Sequence, residues 1–132
     1  MTRFAETSVL VRYLTADPPD QAERAASVIE AAEPLYVTET ILVETAHVLR
    51  RLYAVPRADV AGLLIRFLRR TNVAVIGIDK VRVIEALLMT EPSGRVSLPD
   101  ALIWAVARET GPSTVYTFDR RFPSDGITIR EP

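Results

Sequence analysis

Apolar positions fall into two rhythms along this chain. Short, mostly β-branched or aromatic runs at residues 3–5, 35–38, 72–78, 114–118 and 127–129 are expected as strands. Between them the apolar residues recur every three or four positions, the signature of helices that bury one face. A short helix is expected over 9–14, ended by the Pro18-Pro19 pair, and a second in "DPPDQAERAASVIEAAE", with Asp17 as its cap. The segment 39–53 carries the stripe Ile41, Thr45, Val48, Leu49 and Leu52, and Pro56 separates it from a helix with Val60, Leu64, Phe67 and Leu68 on one face. These two are expected to form a helical hairpin. Helices over 79–91 and 97–111, the latter closed by Gly111, complete the set, and "TEPSGRVS" (90–97) is the longest loop.

Strands that alternate with helices predict a three-layer α/β/α sandwich around a mostly parallel sheet. In such folds a ligand crevice opens at the carboxyl ends of the strands. Residues 1–132 are expected to form a single domain, since the length suits one core and no repeat or linker interrupts it.

Composition narrows the chemistry. The absence of Cys excludes disulfide scaffolds, thiolate metal sites and cysteine nucleophiles, and suits a reducing cytosol. Glu6 and Arg12 interrupt the apolar stretch near the N-terminus, and no run is long enough to cross a membrane, so a cytoplasmic protein is expected. There is no phosphate-cradling glycine loop and no G-x-S-x-G nucleophile turn. The single His47, beside Arg50 and Arg51, has no partner for a zinc site and is expected at the surface.

Four acids occupy the places where strands end or apolar helices begin. Glu6 follows the first strand, Glu44 lies about one turn into the helix after the second, Asp100 opens the helix at 97–111, and Asp119 closes "VYTFD". Each also has a plain structural role open to it. Glu6 suits a helix cap or an Arg partner; Ser97 and Asp100 have the spacing of a capping box; Asp119 suits the cap of a short turn; Glu44 lies at the edge of its stripe, where acids reach water. An ordinary α/β domain whose acids are caps is therefore one reading. Convergence is the other. Two carboxylates about 4 Å apart repel by roughly 4 kcal/mol at an effective dielectric near 20, so a cluster of them calls for a proton or a hard cation such as Mg²⁺ or Mn²⁺. Without these four acids the remaining side chains carry plus three, and all but Lys80 of the sixteen basic residues are Arg, which suits a polyanionic substrate.

The order and spacing of these segments resemble a known family over essentially the whole chain. "AETSVLVRYLTADPP", "ETILVETAHVLRR", "LPDALIWAVARETG" and "VYTFDRRF" together resemble a PIN-domain protein of the VapC type, the toxin half of a toxin-antitoxin pair. The resemblance implies a metal-dependent endoribonuclease in which Glu6, Glu44, Asp100 and Asp119 hold one or two Mg²⁺ or Mn²⁺ ions. Thr7, Ser8 and Thr117 would support them by hydrogen bonds, and Arg12, Arg50, Arg51, Arg120 and Arg121 would contact the RNA backbone. It also implies a cognate antitoxin as partner and a homodimer or toxin-antitoxin hetero-oligomer. Glu6 and Ser8 stand where the family has Asp and Asn. The alternative suited to that departure is a degenerate, non-catalytic PIN domain acting as an antitoxin-binding or scaffolding module.

Overall fold

The computed structural model describes residues 1–132. In chain order the elements are β1 (Arg3–Phe4), α1 (Thr7–Thr15), α2 (Pro19–Ile29), β2 (Leu35–Val37), α3 (Glu39–Tyr53), α4 (Arg57–Leu68), β3 (Val73–Val75), α5 (Lys80–Thr90), α6 (Leu98–Thr110), β4 (Thr114–Tyr116) and β5 (Thr128–Arg130). The six helices and the parallel sheet make up a three-layer α/β/α arrangement.

Every strand pair is parallel. β1, β2 and β3 lie side by side in that order, with Arg3 opposite Leu35 and Leu35 opposite Val73, while β4 and β5 form a separate pair with Thr114 opposite Thr128. Parallel neighbours need long crossovers, and α1–α2 and α3–α4 supply them. The carboxyl ends of the three adjoining strands consequently share one edge, and the chain leaves that edge through Glu6, Glu39 and, after Gly77 and Ile78, Asp79.

The core is built from Leu35, Val37 and Val73 of the sheet with Leu10, Leu42, Leu49, Leu64, Phe67, Leu87 and Ala105 of the helices. α4 is the most embedded helix. Val60, Ala61, Leu64, Ile65, Phe67 and Leu68 are all buried, because α4 packs on α3, α5 and β3 at once. The hairpin of α3 and α4 expected from Pro56 is present.

Local differences from the pattern have plain causes. α1 ends at Thr15, with Ala16 in the left-handed conformation (φ 55°), before Pro18 can stop it. Asp17 does not cap α2. That helix starts at Pro19 with Pro18 in the cap position, which leaves Asp17 one residue too early, and its carboxylate accepts a hydrogen bond from the Tyr53 hydroxyl at 3.2 Å. The run 72–78 yields only Val73–Val75 as strand, because Gly77 turns the chain at φ 87°. Leu52, assigned to the buried stripe of α3, is 77% exposed, as the stripe closes on Leu42, Thr45 and Leu49 instead. α6 buries Ala101, Leu102, Trp104 and Ala105 but leaves the apolar Ile103 and Val106 exposed.

Candidate active site

The acid at the end of β1 takes its position from the helix that follows. Glu6 is the N-cap of α1: its backbone is extended (φ −103°, ψ 175°), and its Oε1 accepts from the Ser8 amide at 2.8 Å and from the Ser8 hydroxyl. This is the ordinary way to satisfy one orphan amide of a first helical turn. Thr7 is buried as the first residue of α1, and Ser8 is exposed. Both supporting residues thus adjoin Glu6, and Ser8 contacts it.

Asp119 is held in the same manner at the end of β4. Its Oδ1 accepts from the Arg121 amide at 2.8 Å and faces the Arg121 side chain at 3.4 Å, while its own amide donates to the Thr117 hydroxyl at 2.9 Å. The Arg121 amide, followed by the Arg121 guanidinium, holds the Asp119 carboxyl below the usual range. Thr117 therefore acts on the backbone of Asp119, and Arg121 is committed to its carboxylate.

Glu44 and Asp100 are differently placed. Glu44 is exposed on α3 and Asp100 is half-buried in the first turn of α6. Ser97 caps α6 by accepting from the Asp100 amide at 3.3 Å, which forms one half of the capping box and leaves the Asp100 carboxylate without a hydrogen-bond donor. Thr45, next to Glu44, is fully buried and its hydroxyl has no partner. All four acids sit on segments that leave strands or open helices. No three or more Asp, Glu, His or Cys side chains, however, are gathered closely enough to cage a metal ion. The donor chemistry suits a hard divalent cation, since all four are carboxylates. The placement does not yet close a ligand set, and two of the four carboxylates are already engaged by Ser8 and Arg121.

A cleft of about 630 Å³ is lined by sequence neighbours of Glu44 and Asp100 but by neither acid itself. It lies between the C-terminal half of α3, the start of α4, the end of α5 and the loop into α6; Val43, Ala46, His47, Arg50 and Arg51 form one wall and Ser97 to Pro99 part of the other. Arg57 of α4 also lines it and donates to the carbonyls of Thr90 and Glu91 at the end of α5. Arg50 and Arg51, anticipated as backbone contacts, are both exposed here. Arg12 instead donates to Gln21 across α1 and α2, and Arg120 is exposed beyond β4.

Sequence reasoning passed over a second acidic grouping. Glu39, the first residue of α3, is half-buried, and burial together with the nearby Glu109 carboxylate raises its carboxyl above the usual range. Glu109 in turn accepts from the Asp79 amide at 3.0 Å. Glu39 and Asp79 follow β2 and β3 as Glu6 follows β1, so the same signal, an acid just past a strand, pointed to them. Glu109 had no such signal, because only the packing of α6 brings it there.

No helix is long and apolar enough to cross a membrane. A search of curated proteins finds no match. A family model described as the PIN domain matches residues 3–124, a span that includes all four acids and every element from β1 to β4. The chain belongs to the PIN-domain family, whose members are in general nucleases and bind divalent metal ions.

Proposed function

We propose that this chain is a divalent-metal-dependent endoribonuclease, the toxin of a toxin-antitoxin pair, with Glu6, Glu44, Asp100 and Asp119 as its acidic centre. Membership of the PIN family over residues 3–124 carries the reading. Four carboxylates on separate elements and a cleft lined by three arginines support it. When bound, Mg²⁺ or Mn²⁺ would orient a water and offset charge on an RNA phosphodiester. The chain's own residues would position that ion. Glu44 and Asp100 carry carboxylates with no competing donor, whereas Glu6 and Asp119 must release Ser8 and Arg121. A cognate antitoxin would then be a small protein that co-purifies with the chain and covers the acids.

Titration calorimetry with Mn²⁺ tests the centre directly. Wild type should bind, and Asp100→Asn should bind at least about tenfold more weakly. The substitution keeps the cap of α6, because that cap uses the Asp100 amide and not its carboxylate. Equal affinity in the two proteins would remove Asp100 from the centre.

One observation favours the non-catalytic alternative. Glu6 is longer than the family's Asp and is already satisfied as a helix cap. On that reading neither protein binds Mn²⁺, while a protein partner is still retained.

A further inference from the structure

A second cleft, of about 530 Å³, opens at the amino ends of β4 and β5, lined by Arg82 of α5, Arg108 of α6, Ser113, Gly126 and Thr128 among others. Asp119 follows the carboxyl end of β4, so the cleft lies at the opposite end of that strand pair. No acid lines it. The Nη1 atoms of Arg82 and Arg108 converge on one oxygen, Glu85 Oε2, at 3.3 Å each, so one positive charge of the trio is not cancelled. The other N–H groups of the two guanidiniums make no hydrogen bond in the fold. Arg108 is also held firmly. Its guanidinium carbon lies 4.9 Å from the centre of the Trp104 ring. The Trp104 indole N–H donates to the Asp125 carbonyl at 2.8 Å and so fixes the loop that carries Gly126. Gly126, at φ 75°, leaves the room the arginine needs, because a Cβ there would come within 3.1 Å of Arg108 Nε. The rim is tied as well: the Ser113 hydroxyl donates to the Ala107 carbonyl at 2.8 Å, and the Thr128 amide donates to the Ser113 carbonyl at 3.0 Å.

We propose that this cleft binds a phosphate dianion, free or as the monoester group of a small molecule. Two planar guanidiniums offer paired N–H donors, which match the several terminal oxygens and the double charge of a phosphate. A chloride ion or a single carboxylate engages one fork only. Glu85 sets the spacing, because two Nη1 atoms on one oxygen bring the guanidiniums close enough to share an anion. With Arg108 packed on Trp104 beforehand, little side-chain freedom is lost on binding. The exposed Thr128 adds a hydroxyl at the rim. The proposal is independent of the nuclease reading, since none of the four acids lines this cleft.

Trp104 is the only tryptophan of the chain and lies against Arg108, so its fluorescence reports on this cleft. Inorganic phosphate, titrated at about pH 7.5 where the dianion predominates, should change that emission saturably, whereas chloride at equal ionic strength should not. Arg82→Gln should weaken half-saturation by about tenfold, the worth of one charge-assisted hydrogen bond. Arg82→Lys, which keeps the charge, should recover part of the loss. Arg82 and Glu85 form a partly exposed pair on one helix, so Arg82→Gln should melt close to wild type. Arg50→Ala with Arg51→Ala, in the other cleft, should leave the Trp104 response unchanged. Ribose 5-phosphate separates the two sources: tighter binding than inorganic phosphate assigns a monoester whose sugar fills the rest of the cleft, and equal or weaker binding assigns free phosphate. No saturable response to either phosphate, an undiminished response in Arg82→Gln, or its loss in the Arg50 and Arg51 variant would overturn the proposal.

Discussion

Single side chains show where this protein has accepted a cost. Glu6 caps α1 with a side chain one methylene longer than the residue types favoured there. Glu6→Asp should therefore tighten Mn²⁺ binding and raise RNA cleavage severalfold, while melting changes by no more than about 1 kcal/mol. Weaker metal binding by Glu6→Asp in calorimetry would count against a metal-facing role. Thr45 is a cost of another kind, a hydroxyl in the core with nothing to bond. Thr45→Val keeps the shape and removes the polar group, so urea unfolding should show a gain of about 1 kcal/mol. A loss would mean that the hydroxyl has a partner in solution. Glu39 adds a pH dependence. Burial and Glu109 raise its folded pKa, so the protonated acid favours the fold; that contribution is complete below the unfolded value near 4.3 and is lost as pH rises through the folded value. Glu39→Gln should gain stability relative to wild type as pH climbs from about 4 to 7. Parallel melting curves across that range would contradict the raised value.

Among the elements, rhythm and punctuation identified every helix and strand, but their ends depended on local contacts that sequence spacing does not encode. The stripe on α3 was legible as helical, yet which of its residues are buried was settled by α1 and α4, which cover Leu42, Thr45 and Leu49 and leave Leu52 outside. Asp17 looked like a cap because it precedes two prolines, and lost that role because α2 begins one residue later than the carboxylate can reach. The cap roles open to Glu6 and Asp119 were readable from the residues, and the fold uses both. Arg57 and the cleft it helps to line were not readable, because they arise where α3, α4, α5 and a loop meet. One helix end invites a stabilising change. Ala54 closes α3 in the left-handed region at φ 53°, where a Cβ costs about 1 kcal/mol, so Ala54→Gly should raise stability by a few tenths of a kcal/mol up to about 1. Thermal unfolding checks it, and a lower melting point would show that the added chain entropy outweighs the relieved strain.

At the scale of the molecule, the parallel sheet sends Glu6, Glu39 and Asp79 to one edge, while Asp100 opens α6 and Asp119 follows β4. The net charge of minus one conceals a division, with acids past the strand ends and arginines without carboxylate partners along a cleft that no acid lines. On the proposed reading, Glu6, Glu44, Asp100 and Asp119 would act together on one divalent ion. That cooperation among distant carboxylates is the central proposition, and cleavage of RNA by wild type and Asp100→Asn, with Mn²⁺ and with EDTA, tests it most directly. The predicted result is cleavage by wild type only in Mn²⁺, reduced by about 100-fold or more in Asp100→Asn. Cleavage that persists in EDTA, or proceeds in Asp100→Asn at the wild-type rate, would contradict it.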